Sequence, residues 1–233
     1  MIDFYYWPTP NGWKVSILLE ELGVEYRVVP IDIRKGDQFE PSFLAISPNN
    51  RMPAIVDHAV DGAPISVFES GAIMLYLAEK FGQWMPTDAR ERVALNEWLF
   101  WQVGNLGPMA GQHSHFFNYA EGDHAYSSER YRNEYHRCIG VLERRLSGRD
   151  YILDSGYSIA DMIAWPWILI AKAMGQPLDE FPAVTRWRAA LKARPAVQRG
   201  VDLGKDLRSA RTMTDSERKV LFGQTGHSTE PRS

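Results

Sequence analysis

The rhythm of the sequence changes near Gln83. From Ile2 to Phe81 short β-branched runs alternate with helical stretches, whereas beyond Asp88 apolar residues recur at helical spacing with few strand candidates. Ile2–Trp7 reads as a strand and Trp13–Leu22 as a helix closed by Gly23, a residue suited to a left-handed end. Tyr26–Ile33 is a second strand, and Pro30, which has no N–H to give the ladder, places it at an edge or a bulge. A short helix over Pro41–Ile46 precedes Ala54–Asp57 and Ile65–Phe68, a hairpin pair across the turn-forming Asp61-Gly62. A helix over Ala72–Phe81, ending at Gly82, completes a β-α-β-α-β-β-α unit.

Met85-Pro86-Thr87-Asp88 reads as a linker and helix start, giving a first domain over 1–82, a linker over 83–88 and a helical domain over 89–223. The spacing predicts helices near Ala89–Gly104, Ser127–Leu146, Ile159–Met174, Val184–Ala193 and Asp215–Leu221, with Gly104–Met109 breaking or kinking the first and shaping a cleft wall. The small, polar stretch 224–233 is expected to be a disordered tail.

Composition narrows the function. With 26 Lys and Arg against 29 Asp and Glu, the net charge of −3 supplies no general attraction for nucleic acid or anionic lipid, so any anion site must be local. No long apolar run suits a membrane span and no basic-then-apolar leader opens the chain, from which a cytoplasmic protein is expected. One cysteine, Cys138, rules out an internal disulfide framework and every C-x-x-C site. The phosphate-binding, dinucleotide-binding and serine-hydrolase signatures are absent. His113, His115, His124 and His136 have no cysteine or carboxylate at a familiar metal-ligand spacing, so no metal site is expected.

Three turns carry candidate chemistry. Pro8-Thr9-Pro10-Asn11-Gly12 joins the first strand to the first helix. Thr9 and Asn11 either cap that helix or use its positive end to hold an anion such as a thiolate, to which the Thr9 hydroxyl would donate. Met52-Pro53 either starts a strand in the ordinary way or, as a cis bond, presents the Met52 backbone to an extended ligand. Glu69-Ser70-Gly71 opens a helix, with Ser70 either at the cap or holding a carboxylate while Glu69 accepts from an ammonium. Ser158-Ile159-Ala160-Asp161 is a capping box with Asp at the third helical position, structural rather than catalytic.

Thr9-Pro10-Asn11-Gly12, Ser47–Ile55, Phe68–Ile73, Trp98–Gln102 and Tyr157–Asp161 together make the chain resemble the cytosolic glutathione transferases, and within them the nu-class disulfide-bond oxidoreductases. The resemblance covers residues 1 to about 210. It implies an α/β thioredoxin-like N-terminal domain, an all-α C-terminal domain, a cis Met52-Pro53 bond and a homodimer. It also implies glutathione, reduced or oxidised and up to two per subunit, bound through Asn11, Gln38, Met52, Pro53, Glu69, Ser70 and Arg130, the last across the dimer interface. Thr9 takes the place beside the glutathione sulfur, so that Thr9 and Asn11 become the catalytic candidates.

The activity implied is glutathione-dependent disulfide reduction, the reactive thiol arriving with the ligand rather than on a protein cysteine. Two alternatives stand beside it: a transferase that conjugates electrophiles or reduces organic hydroperoxides, and a non-catalytic glutathione-binding regulator. Thr9 replaces the serine or tyrosine of many transferases, and Trp7 before Pro8 alters the cleft, so conjugation does not transfer automatically.

Overall fold

The structure is a computed structural model and describes residues 1–207, 213–226 and 228. β1 (Ile2–Tyr6) runs parallel to β2 (Tyr26–Pro30), and α1 (Pro10–Leu22) crosses between them. After a 3-10 turn at Asp37–Phe39 and α2 (Pro41–Leu44), β3 (Ala54–Asp57) pairs antiparallel with β1 and with β4 (Ile65–Phe68), and α3 (Ser70–Phe81) closes the unit. The sheet order is β2-β1-β3-β4, so Pro30 lies on an edge strand, where its missing N–H costs no ladder bond. This is the thioredoxin-like α/β layer that the resemblance implies.

Alternation along β1 divides the packing. Ile2, Phe4 and Tyr6 enter the main core, while Tyr5 faces a smaller cluster of Ile31, Phe43 and Ala54. Gly23 and Gly82 take the left-handed conformation expected at the ends of α1 and α3.

The rest is helical: α4 (Ala89–Trp101), a π-helical turn (Gln102–Leu106), α5 (Gly107–Asn118), α6 (Ala125–Leu146), α7 (Ile159–Leu169), α8 (Pro182–Lys192), α9 (Pro195–Asp202) and α10 (Asp215–Phe222). Two of these, α5 and α9, differ from expectation. Gly107, Pro108 and Gly111 mask the period of α5, and α9 is a short helix opened by Pro195. The expected break at Gly104–Met109 is a π turn that runs on into α5. Pro108 cannot donate to Gly104, and the ladder widens so that Gly107 N donates to Gln102 O. The helix expected to run to Met174 ends at Leu169, followed by a 3-10 turn.

The two layers share one continuous core, with α1 packed between the sheet and α7 and α9. Contact with α9 depends on a missing side chain, because a Cβ on Gly200 would lie 2.7 Å from Ile17 Cα. Ser16 Oγ donates to Gly200 O at 2.6 Å across the same seam. Arg194 forms a two-pronged pair with Glu21 of α1 and lies over the Tyr157 ring.

The Ser158–Asp161 capping box forms as expected. Asp161 is buried and accepts from Ile152 N at 3.0 Å, Ser158 N at 3.1 Å and Trp187 Nε1 at 2.8 Å. Of the expected tail, residues 227 and 229–233 lie outside the described residues, while Gln224 Oε1 accepts from Asn50 Nδ2 at 3.3 Å.

Candidate active site

Each of the three turns singled out in the sequence ends at the same crevice between the sheet layer and the helices. Thr9 is extended, and its Oγ1 accepts from Gly12 N at 3.4 Å, so it does cap α1. The same hydroxyl donates to Met52 Sδ at 3.7 Å, which joins the first turn to the second. Gly12 is required by space: a Cβ there would sit 2.3 Å from Trp7 O. Asn11 Oδ1 accepts from Trp167 Nε1 of α7 at 3.3 Å, leaving its amide protons as donors.

Met52-Pro53 is cis. At the third turn the cap differs from expectation. Glu69, not Ser70, is the cap residue of α3, and no side-chain capping bond forms. Glu69 adopts φ 68°, ψ 120°, a conformation that costs a non-glycine residue about 1–3 kcal/mol and recurs at ligand-binding sites. Asn49 Nδ2 donates to Glu69 Oε1 at 2.9 Å. Ser70, released from capping, is buried in the first turn of α3.

These residues enclose a cavity of about 400 Å³. Asn11, Met52, Pro53, Glu69 and Ser70 line it from the sheet layer, as the sequence predicted. Gly107 and Pro108 line it from the stretch expected to shape a cleft wall, and Lys14, Arg51, Val103 and Trp167 also line it, none of them singled out from sequence as a site residue. Lys14 is the most unusual of them, because its amine is buried: Nζ donates to Gln102 Oε1 at 2.9 Å and to Ser70 Oγ at 3.4 Å. Burial drives its pKa down to about 7, and the carboxylate of Glu69 opposes that fall. The only hint in the sequence is a single charge within the mostly apolar run Trp13–Leu19.

Three predicted residues are not among the cavity's lining residues. Thr9 stands behind Met52. Gln38 is buried, donates to Ile33 O at 3.1 Å, and has Oε1 without a partner among the described residues. Arg130 is exposed on α6, paired with Glu134 at 3.4 Å. The histidines point to separate partners, His113 to Met174 O and His136 to Glu180, and no group of three possible metal ligands exists among the described residues. Cys138 is fully buried in α6, and burial pushes its thiol pKa up, against the pull of Arg137.

Residues 1–79 match the glutathione S-transferase N-terminal domain and residues 125–190 the glutathione S-transferase C-terminal domain, and the chain belongs to the glutathione S-transferase family. It is 49% identical to the disulfide-bond oxidoreductase YfcG of Escherichia coli K12 over 198 residues, which span 84% of this chain and 92% of that protein. Among solved structures it is similar to a glutathione transferase of Burkholderia graminis with two glutathione molecules bound per subunit (TM-score 0.82, 42% identity, 88% of each chain). It is also similar to a glutathione transferase of Pseudomonas putida with one glutathione disulfide per subunit (TM-score 0.82, 40% identity, 87% of this chain and 91% of that one).

Proposed function

We propose that the chain is a glutathione-dependent disulfide-bond reductase whose reactive sulfur belongs to the bound glutathione. The observation that carries this reading is the division of labour inside one cavity. One end offers a helix N-terminus with the Thr9 hydroxyl close behind Met52, and the other gathers the donors Ser70 and Lys14 beside the acceptor Glu69. Glutathione has a matching anatomy: a thiol in the middle and, at its γ-glutamyl end, a carboxylate beside an ammonium. Ser70 would hold that carboxylate and Glu69 the ammonium, while the Met52 backbone pairs with the peptide in the manner of an added strand. Pro53 lines the same wall, and Gln38, outside that lining, would help to hold an end of the ligand.

Chemistry then needs only a thiolate in the right place. The helix dipole and the Thr9 hydroxyl, turned from Met52 to the ligand, stabilise the glutathione thiolate, with Asn11 amide protons alongside. That thiolate attacks one sulfur of a disulfide RSSR, forming a mixed disulfide and expelling RS⁻. A second glutathione thiolate attacks the glutathione sulfur of the mixed disulfide, giving glutathione disulfide and a second RS⁻. Each RS⁻ takes up a proton, so that two glutathione and one RSSR become one glutathione disulfide and two RSH. Relatives holding two glutathiones, or one glutathione disulfide, per subunit support this sequence, as does the buried state of Cys138.

The finer reading is a nu-class, cytoplasmic homodimer, with 1–82 binding glutathione and 89–223 lining the substrate cleft and pairing the subunits. Support for pairing comes from the exposed Val93 and Phe100 on α4 and from Ile65 and Phe68 on the edge strand β4. Arg130 would then serve the cavity of the partner subunit. The test is a coupled turnover assay comparing hydroxyethyl disulfide, cumene hydroperoxide and an aryl halide. Disulfide turnover well above the others, and at least tenfold lower in Thr9→Ala, is expected; faster aryl halide turnover would favour conjugation, and glutathione binding without turnover would favour a regulator.

A further inference from the structure

Lys14 is a buried amine that the disulfide chemistry above does not use. Its neighbours define what it can do. Ser70 of α3 and Gln102 of the π turn meet the amine, and Glu69 at the cap of α3, Arg51 of the loop before β3 and Trp167 of α7 line the same cavity. Of these only Glu69 and Arg51 carry charge, and both are exposed. The lysine therefore sits under the cavity floor, with its charge held by two neutral oxygens, Gln102 Oε1 and Ser70 Oγ.

The charge state of the amine decides what the Ser70 hydroxyl can do. As an ammonium, Lys14 donates to Ser70 Oγ, so the hydroxyl proton must go elsewhere, and the cavity that Ser70 lines is open to it. As a neutral amine, Lys14 gains a lone pair, and the Ser70 hydroxyl can donate back to it and be lost to a ligand. We propose that Lys14 is a proton-linked positioning residue for anion binding: protonated, it aims the Ser70 hydroxyl at a ligand carboxylate and supplies the buried positive charge behind it. The inference rests on the reading of this cavity as the glutathione site.

With a pKa of about 7 the amine is partly neutral in the free protein near neutral pH. An anion at Ser70 favours the charged form and raises that pKa, so binding takes up a proton. Affinity is highest below about pH 7 and falls as pH rises through the raised value of the complex.

Titration calorimetry with S-methylglutathione, in two buffers of different ionisation enthalpy, measures this directly. The blocked thiol releases no proton, and at about pH 7 the ligand's ammonium is already charged, so uptake reports the protein. The wild type should take up roughly half a proton per site at that pH. Lys14→Met, checked for folding by circular dichroism, should lose that uptake and bind about tenfold more weakly at low pH, with the gap closing as pH rises. Wild-type binding without proton uptake, or equal uptake and affinity in Lys14→Met, overturns the role of Lys14 and leaves the glutathione site standing. Absence of binding to the wild type overturns both. If Lys14→Met does not fold, the wild-type uptake decides by itself.

Discussion

Ser70 and Ser158 stand at the starts of two helices and invite the same reading as caps, yet the protein uses them in opposite ways. Ser158 closes its box: its hydroxyl accepts from Ala160 N at 3.2 Å, and Asp161 answers the surrounding donors. Ser70 caps nothing. The cap position passes to Glu69 in a left-handed conformation, and the Ser70 hydroxyl is met instead by a buried lysine at a cavity wall. Their buried charges differ in the same way. Asp161 faces donors that satisfy it on all sides, whereas Lys14 has two neutral acceptors and a cavity beside it. One helix start is built to be finished by the protein itself, and the other to be finished by a ligand.

Substitutions at the two helix starts should therefore separate stability from binding. The largest effect is expected from Asp161→Ala, which removes the acceptor of four buried donors and should cost about 3 kcal/mol or more, seen as a fall of about 10 °C in thermal unfolding. Glutathione affinity of the folded protein should stay within about twofold. A large loss of affinity at unchanged stability would break the contrast.

Next comes the serine pair. Ser70→Ala should weaken glutathione binding by about tenfold with little change in melting temperature. Ser158→Ala should do the reverse, costing about 1 kcal/mol of stability and leaving calorimetric affinity unchanged. Equal behaviour of the two variants would remove the distinction.

The smallest effect is expected at Glu69. Replacing it by glycine relieves the left-handed backbone and should stabilise the fold by about 1 kcal/mol, net of glycine's greater chain entropy. The same change should lower glutathione affinity, because the ammonium loses its acceptor. A variant that melts lower would show that the backbone at Glu69 carries no strain.

Much of this was legible in the sequence because the signals are local. Gly23 and Gly82 end their helices where their freedom is needed, Pro30 falls on an edge strand, and the change of period near Gln83 separates sheet from helices. Asn11, Met52, Pro53, Glu69 and Ser70 meet at one cavity because each sits at a strand end that the topology brings to one side of the sheet. What escaped depends on distant partners. Lys14 in a helical run reads as a solvated charge until Gln102, eighty-eight positions away in sequence, and Ser70, fifty-six away, take up its amine. The exchange of cap between Ser70 and Glu69 is a backbone dihedral that residue types at a helix start do not encode. Arg130, exposed on α6 and paired with Glu134, is not among the residues that line the cavity.

If the reactive sulfur is brought in by glutathione, the chain's single cysteine, Cys138, is dispensable for turnover. Hydroxyethyl disulfide turnover should be measured in Cys138→Ala, with mass spectrometry of the protein during turnover. A rate within about twofold of the wild type, with no glutathione attached to the protein in either form, is expected. Loss of turnover on removing Cys138, with glutathione trapped on that residue in the wild type, would contradict it.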